Sequence, residues 1–319
     1  MILPKSSRFL TIFLAPTLLL SGPSIEARTA RKQAKPPVPV TTPVAPVQTV
    51  QARPALWVAK DKDTTIYLFG TIHLLKPNLV WFEGPIRKAF DDAGQVVVEA
   101  TDAGESAGQS AVLQRALDAG GPTVTSQLPV EMRAPYAEAV KSLGLPMELM
   151  DHVKPWFAAI TLSSGPLQKL GYDPSSGADR AIMAAARKQG KELIGLETAE
   201  SQIGLFANLP ADLQISLLTQ ALKEQASMGD TIAKMMTAWI AGDPAALAVE
   251  MNESLEDDPK LEKLLLFDRN QLWADWIKGR LKKPGVVFVA VGAGHLAGKG
   301  SVQDALRKRG VKTALIERP

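Results

Sequence analysis

The chain of 319 residues holds only three histidines, and two of them stand three positions after a glycine that ends an apolar run. Ile66-Tyr67-Leu68-Phe69 leads into Gly70-Thr71-Ile72-His73, and Val286 to Val291 leads into Gly292-Ala293-Gly294-His295. Two other apolar runs end on carboxylates, Gln95 to Val98 on Glu99 and Leu193 to Leu196 on Glu197. Two neutral imidazoles and a carboxylate form a ligand set for a divalent ion such as zinc, manganese or cobalt, with positions left open for water. Such an ion lowers the pKa of bound water and polarises a carbonyl, as hydrolysis requires. Without metal, the same groups make a histidine base oriented by a carboxylate. A plainer reading is a strand-to-loop turn whose histidine caps a helix. That suits one Gly-x-x-His copy; two copies near a glutamate favour chemistry. The third histidine, His152, follows neither a glycine nor a strand and reads as a helix-end or packing residue.

The apolar runs are short and rich in β-branched and aromatic residues, so they predict buried strands. Trp57–Ala59 and Thr64–Phe69 flank the polar turn Lys60–Asp63 as a hairpin. A helix over Pro85–Asp92 then precedes the strand that ends in Glu99. Strand, helix and strand predict a parallel βαβ unit, with His73 and Glu99 at one edge of neighbouring strands about 4.8 Å apart. The C-terminal region repeats the pattern: strand Val286–Val291, Gly-x-x-His, helix Val302–Arg309, strand Thr313–Ile316, and a final Glu317. The expected fold is therefore α/β, with two βαβ-type halves in a mixed, mostly parallel sheet. Chemistry in such folds gathers at the C-terminal ends of strands. Large helical insertions at about 104–170 and 210–280 are expected to cover those ends. Glu197 would add an acidic group behind the site or cap the helix after it. Arg269 would steady a substrate carboxylate or an oxyanion, or else lie on a helix surface, with Asn270 beside it supporting the site.

With 46% hydrophobic residues, 22% charged residues and a net charge of +3, the chain suits a globular protein with a large core and no nucleic-acid surface. The absence of cysteine excludes disulfides, a thiol nucleophile and thiolate metal sites. Residues 1–27 have secretory form: Lys5 and Arg8, the apolar run Phe9–Leu20, then small residues to Ala27. The run is shorter than the ~20 residues a spanning helix needs, so a periplasmic or secreted protein is expected, touching the membrane only if the segment stays uncleaved. Residues 28–54 form a proline-rich tether, predicted to be disordered, and 55–319 the folded domain. The charge-rich stretch Glu253–Lys263 reads as a solvated face.

Read together, Leu68 to His73, the strand ending in Glu99, Gly171-Tyr172-Asp173, Gly195-Leu196-Glu197-Thr198 with Gln202, Trp239 with Gly242-Asp243, Arg269-Asn270, and Val291 to Leu296 with Gly298 resemble the TraB/GumN family. The likeness spans roughly Leu56 to Ile316, and the two Gly-x-x-His motifs are its most specific marks. That family includes bacterial pheromone-shutdown proteins and resembles the metal-dependent Tiki proteases, erythromycin esterase and the ChaN haem-binding proteins. The resemblance implies active-site places for His73, Glu99 and His295, with Arg269 among the catalytic candidates. It implies a metal-dependent hydrolase acting on a peptide or small amide or ester substrate. The alternatives are a non-catalytic protein that sequesters a peptide or haem and a metal-independent esterase.

Overall fold

The computed structural model describes residues 48–101, 105–252 and 259–317. The signal segment, most of the tether and residues 253–258 of the charge-rich stretch lie outside them. Among the described residues no helix is long and apolar enough to cross a membrane.

Eight strands follow in chain order: β1 (Val50–Gln51), β2 (Leu56–Lys60), β3 (Thr64–Thr71), β4 (Leu79–Val80), β5 (Gln95–Ala100), β6 (Glu192–Glu197), β7 (Gly285–Gly292) and β8 (Thr313–Leu315). Six form one sheet in the order β6-β5-β7-β3-β2-β8. Strands β6, β5, β7 and β3 run parallel, and β2 is antiparallel to both β3 and β8. The hairpin of β2 and β3 forms as the sequence predicts. The two halves, however, do not stand side by side. Strand β7 lies between β3 and β5, which are therefore about two strand spacings, ~9.6 Å, apart. Strand β8 is likewise separated from β7, by β3 and β2. The halves interleave, and the strand that carries the second Gly-x-x-His fills the gap in the first half.

Both faces of the sheet are covered, which explains why the central strands are almost continuously apolar. Phe69, Val96, Val98 and Phe288 face helices 84–92, 178–188 and 228–241, meeting Phe90, Ile182, Met235 and Trp239. Leu68, Val97, Val287 and Val289 face the other way, onto Trp273 and Ile277 of helix 268–280 and Leu306 of helix 302–308. Phe69 is fully buried and stacks on Trp81 with ring centroids 5.4 Å apart, and burying one such side chain contributes about 1.5–3 kcal/mol.

A second core lies away from the sheet. Helices 105–116, 130–142, 155–169, 199–207 and 211–224 pack there around Tyr136, Trp156, Phe206 and Leu218, joined by Leu265. The insertion expected at 210–280 is thus not one cover: helix 211–224 belongs to this second core, while helices 228–241 and 268–280 pack on opposite faces of the sheet. Leu261, Leu265 and Leu266 are buried, so the described part of Glu253–Lys263 and the turn after it is not simply a solvated face. The tether also ends early. Val50–Gln51 pairs with Leu79–Val80 and Ala52 is buried, so the chain joins the fold before Pro54.

Candidate active site

Register brings the two motifs together. Strands β3 and β7 pair from Thr64↔Gly285 to Thr71↔Gly292, so both Gly-x-x-His segments leave the sheet side by side. A Cβ on Gly70 would lie 3.0 Å from Ala293 Cα, so glycine lets the first motif sit this close to the second without pushing it back. Trp239 Nε1 donates to Gly70 O at 2.9 Å and fixes the turn from beneath.

His73 is buried, and its Nδ1 lies 3.1 Å from Asp179 Oδ1, also buried. The distance suits a hydrogen bond but the alignment falls short of one, and the contact is that of an ion pair. His73 Nε2 is buried with no partner among the described residues. Asp179 is held in the first turn of helix 178–188, and Ala178 N donates to Ile72 O at 2.9 Å. Gly177 is required there, since a Cβ on it would lie 2.4 Å from His73 O. Burial alone pushes the His73 imidazole down, but the charge of Asp179, its contact and the charge of Glu99 outweigh that, and its pKa ends above 6.5.

Arg269 organises the remainder. Its Nε and Nη2 grip Glu197 at 2.7 and 3.0 Å, a bidentate pair. Nη2 also donates to Glu99 Oε2 at 2.8 Å, and Nη1 to Leu265 O at 3.1 Å. The last N–H meets His295 Nε2 at 3.0 Å. All five donors of the guanidinium are therefore occupied within the protein. Gln202 Nε2 reaches Glu99 Oε2 at 3.1 Å, and Gly292 N donates to Glu99 Oε1 at 2.6 Å across the sheet. Trp273 Nε1 donates to Glu197 at 3.1 Å while its ring packs 4.3 Å from that of His295.

These contacts fix the His295 tautomer. A guanidinium cannot accept, so Nε2 is the acceptor and the ring proton sits on Nδ1, which donates to Asn270 Oδ1 at 2.6 Å. Asn270 in turn donates to Gly300 O at 2.9 Å. Burial first, then the charges of Arg269 and His73, hold the His295 pKa well below 6.5. As arranged, His73, Glu99 and His295 do not fit one shared metal: both His295 nitrogens have partners, and three donors hold Glu99. Among the described residues no group of three or more His, Cys, Asp or Glu is placed to hold an ion.

His73, Glu99, His295 and Arg269 thus share one electrostatic neighbourhood at the strand ends, with Glu197 and Asn270 behind them. Arg269 is buried, which corrects the surface alternative, and it has no N–H left for a substrate group in this arrangement. Glu197 is not the cap of the following helix; Thr198 is, through a capping box with Ser201. His152 lies at the end of helix 147–151, away from these groups. Asp179 and Gln202 are the partners to which sequence reasoning assigns no role in the site. The only local signal for Asp179 is an acidic residue in the first turn after a glycine; Gln202 is legible only as part of the family pattern. Two cavities, near 280 and 470 Å³, are lined by none of the site residues.

The model of the TraB/PrgY/gumN family matches residues 55–314. The uncharacterized protein YbaP of Escherichia coli (strain K12) is 28% identical over 254 residues, covering 80% of this chain and 92% of its own. An uncharacterized protein of Treponema pallidum (strain Nichols) is 23% identical over 273 residues, 79% of this chain and 80% of its own. No solved structure matches significantly. The family model spans most of the chain, and the chain belongs to the TraB/PrgY/gumN family.

Proposed function

We propose that this member of the TraB/PrgY/gumN family is a hydrolase of peptide, amide or ester bonds in which His73 activates water. The single observation behind this reading is the asymmetry of the two imidazoles. His295 has both nitrogens engaged, whereas His73 offers a buried, unpartnered Nε2 and holds Nδ1 against Asp179. Asp179 favours a proton on Nδ1, leaving the Nε2 lone pair to take a proton from water. The water oxygen bonds to the substrate carbonyl carbon to give a tetrahedral oxyanion. Return of the proton from Nε2 to the leaving nitrogen or oxygen breaks the scissile bond. Arg269 acts here by holding Glu99 and His295 in place, since its donors are already engaged.

A second reading keeps a divalent ion, zinc, manganese or cobalt, with His73, Glu99 and His295 as its ligands. The paired Gly-x-x-His motifs of the family favour it; the Arg269–His295 contact weighs against it, because Arg269 would have to leave Nε2 first. Metal analysis of the purified protein, with hydrolysis assayed with and without chelator, separates the two. The reading includes export, on the sequence of residues 1–27, and a fold likeness to the erythromycin esterase and ChaN proteins, on the strand-end site.

A further inference from the structure

A second site lies in the helical core. A cavity of about 470 Å³ has one side of helix 155–169 as its floor, with Trp156, Phe157, Ile160, Thr161, Ser164 and Lys169 facing it at three- and four-residue spacing. Its volume falls in the range of small-molecule sites. Val112, Leu143 and Leu145 form the walls. Gly165 lets the wall close, since a Cβ there would lie 2.5 Å from Leu143 Cδ1.

The floor is graded. Trp156 is wholly buried, Phe157, Ile160 and Ser164 are buried, and Gln168 and Lys169 at the far end are exposed. Two polar groups bracket the apolar stretch. The Trp156 indole N–H is buried with no acceptor among the described residues, a donor that a ligand oxygen would satisfy. The Lys169 ammonium donates to Ser142 O at the C-terminal end of helix 130–142 and pairs with no carboxylate among the described residues. Thirteen residues of helix rise separate the two, about 20 Å.

We propose that this cavity binds a linear aliphatic carboxylate that carries an oxygen acceptor at its far end. The carboxylate meets Lys169, the chain lies along Phe157 and Ile160, and the distal oxygen accepts from Trp156 Nε1. The site is separate from the strand-end residues and does not depend on their chemistry.

Calorimetric titration of the full chain with dodecanoate and ω-hydroxydodecanoate tests this. Both should bind saturably at one site, the hydroxy acid about threefold to tenfold tighter, the worth of one net hydrogen bond. Trp156→Phe should erase that preference and keep dodecanoate binding. Lys169→Gln should weaken both acids about threefold. Thr161→Phe fills the cavity from a half-buried position and should abolish binding with the circular-dichroism spectrum unchanged. Absence of saturable binding would overturn the proposal, and so would Thr161→Phe binding as tightly as wild type. Equal affinity of wild type for the two acids would remove the assigned role of Trp156 and with it the ligand class.

Discussion

Nη1 of Arg269 stands 3.0 Å from Nε2 of His295, and a guanidinium has only protons to offer there. This contact makes the two Gly-x-x-His motifs unequal. Glu99 and Glu197 hold the arginine in place, Asn270 holds the far side of the ring, and His73 is left as the imidazole free to meet a substrate.

Arg269→Ala should be severely destabilising. It leaves Glu99 and Glu197 as buried carboxylates without their cation, a loss on the order of 3–5 kcal/mol. Arg269→Lys cannot reproduce five donors in one plane and should recover only part of it. Urea denaturation of the three proteins measures this directly; a loss below ~1 kcal/mol for the alanine variant would contradict the hub role.

The two site imidazoles should titrate on opposite sides of 6.5 in nitrogen-correlated NMR spectra. His73 keeps its proton above that value, while His295 stays neutral until well below it. The linkage signs are opposite. The unfolded chain protonates His295 more readily, so that residue's contribution is complete above 6.5 and is lost as pH falls below it. His73 stabilises the fold below 6.5 and loses that contribution as pH rises through its folded value. Asp179→Asn should lower the His73 value and leave His295 low. Coincident titration of the two rings would contradict the assignment.

Asn270→Leu should cost about 1–3 kcal/mol, because the buried His295 Nδ1–H loses its acceptor. Asn270→Asp keeps an acceptor and should be milder. Thermal unfolding of both variants checks the order, and a more stable leucine variant would reverse it.

Gly70→Ala should cost about 1–3 kcal/mol by forcing the Gly292–His295 turn away from β3. His152→Ala should leave hydrolysis unchanged, as His152 lies at a helix end away from the site. A tolerated Gly70→Ala would mean that the two motifs do not need to be in contact.

The strand ends were legible in the sequence because Leu68–Gly70, Val96–Glu99 and Val286–Gly292 are short apolar runs broken by glycine or a carboxylate. Periodicity reports such local features well. The pairing of β3 with β7 was not legible, because strand order is set by contacts between distant segments. The expected neighbour β5 is displaced by a strand that comes nearly two hundred residues later. Arg269 was visible as a candidate but not as a hub, since its acceptors come from β5, β6, the turn at Leu265 and the second histidine motif. The role of Asp179 is not legible for the same reason: nothing near it in the chain announces that it meets His73.

The most direct test is hydrolysis by single variants of the purified chain, using a peptide and nitrophenyl-ester library with and without chelator. His73→Ala should lose turnover by about 10²-fold or more, in the range general-base catalysis contributes, with its circular-dichroism spectrum unchanged. Chelator should leave the wild-type rate unchanged. A His73→Ala variant that hydrolyses at the wild-type rate, or a wild-type rate abolished by chelator and restored by a divalent ion, would contradict the assignment of His73 as a metal-free base.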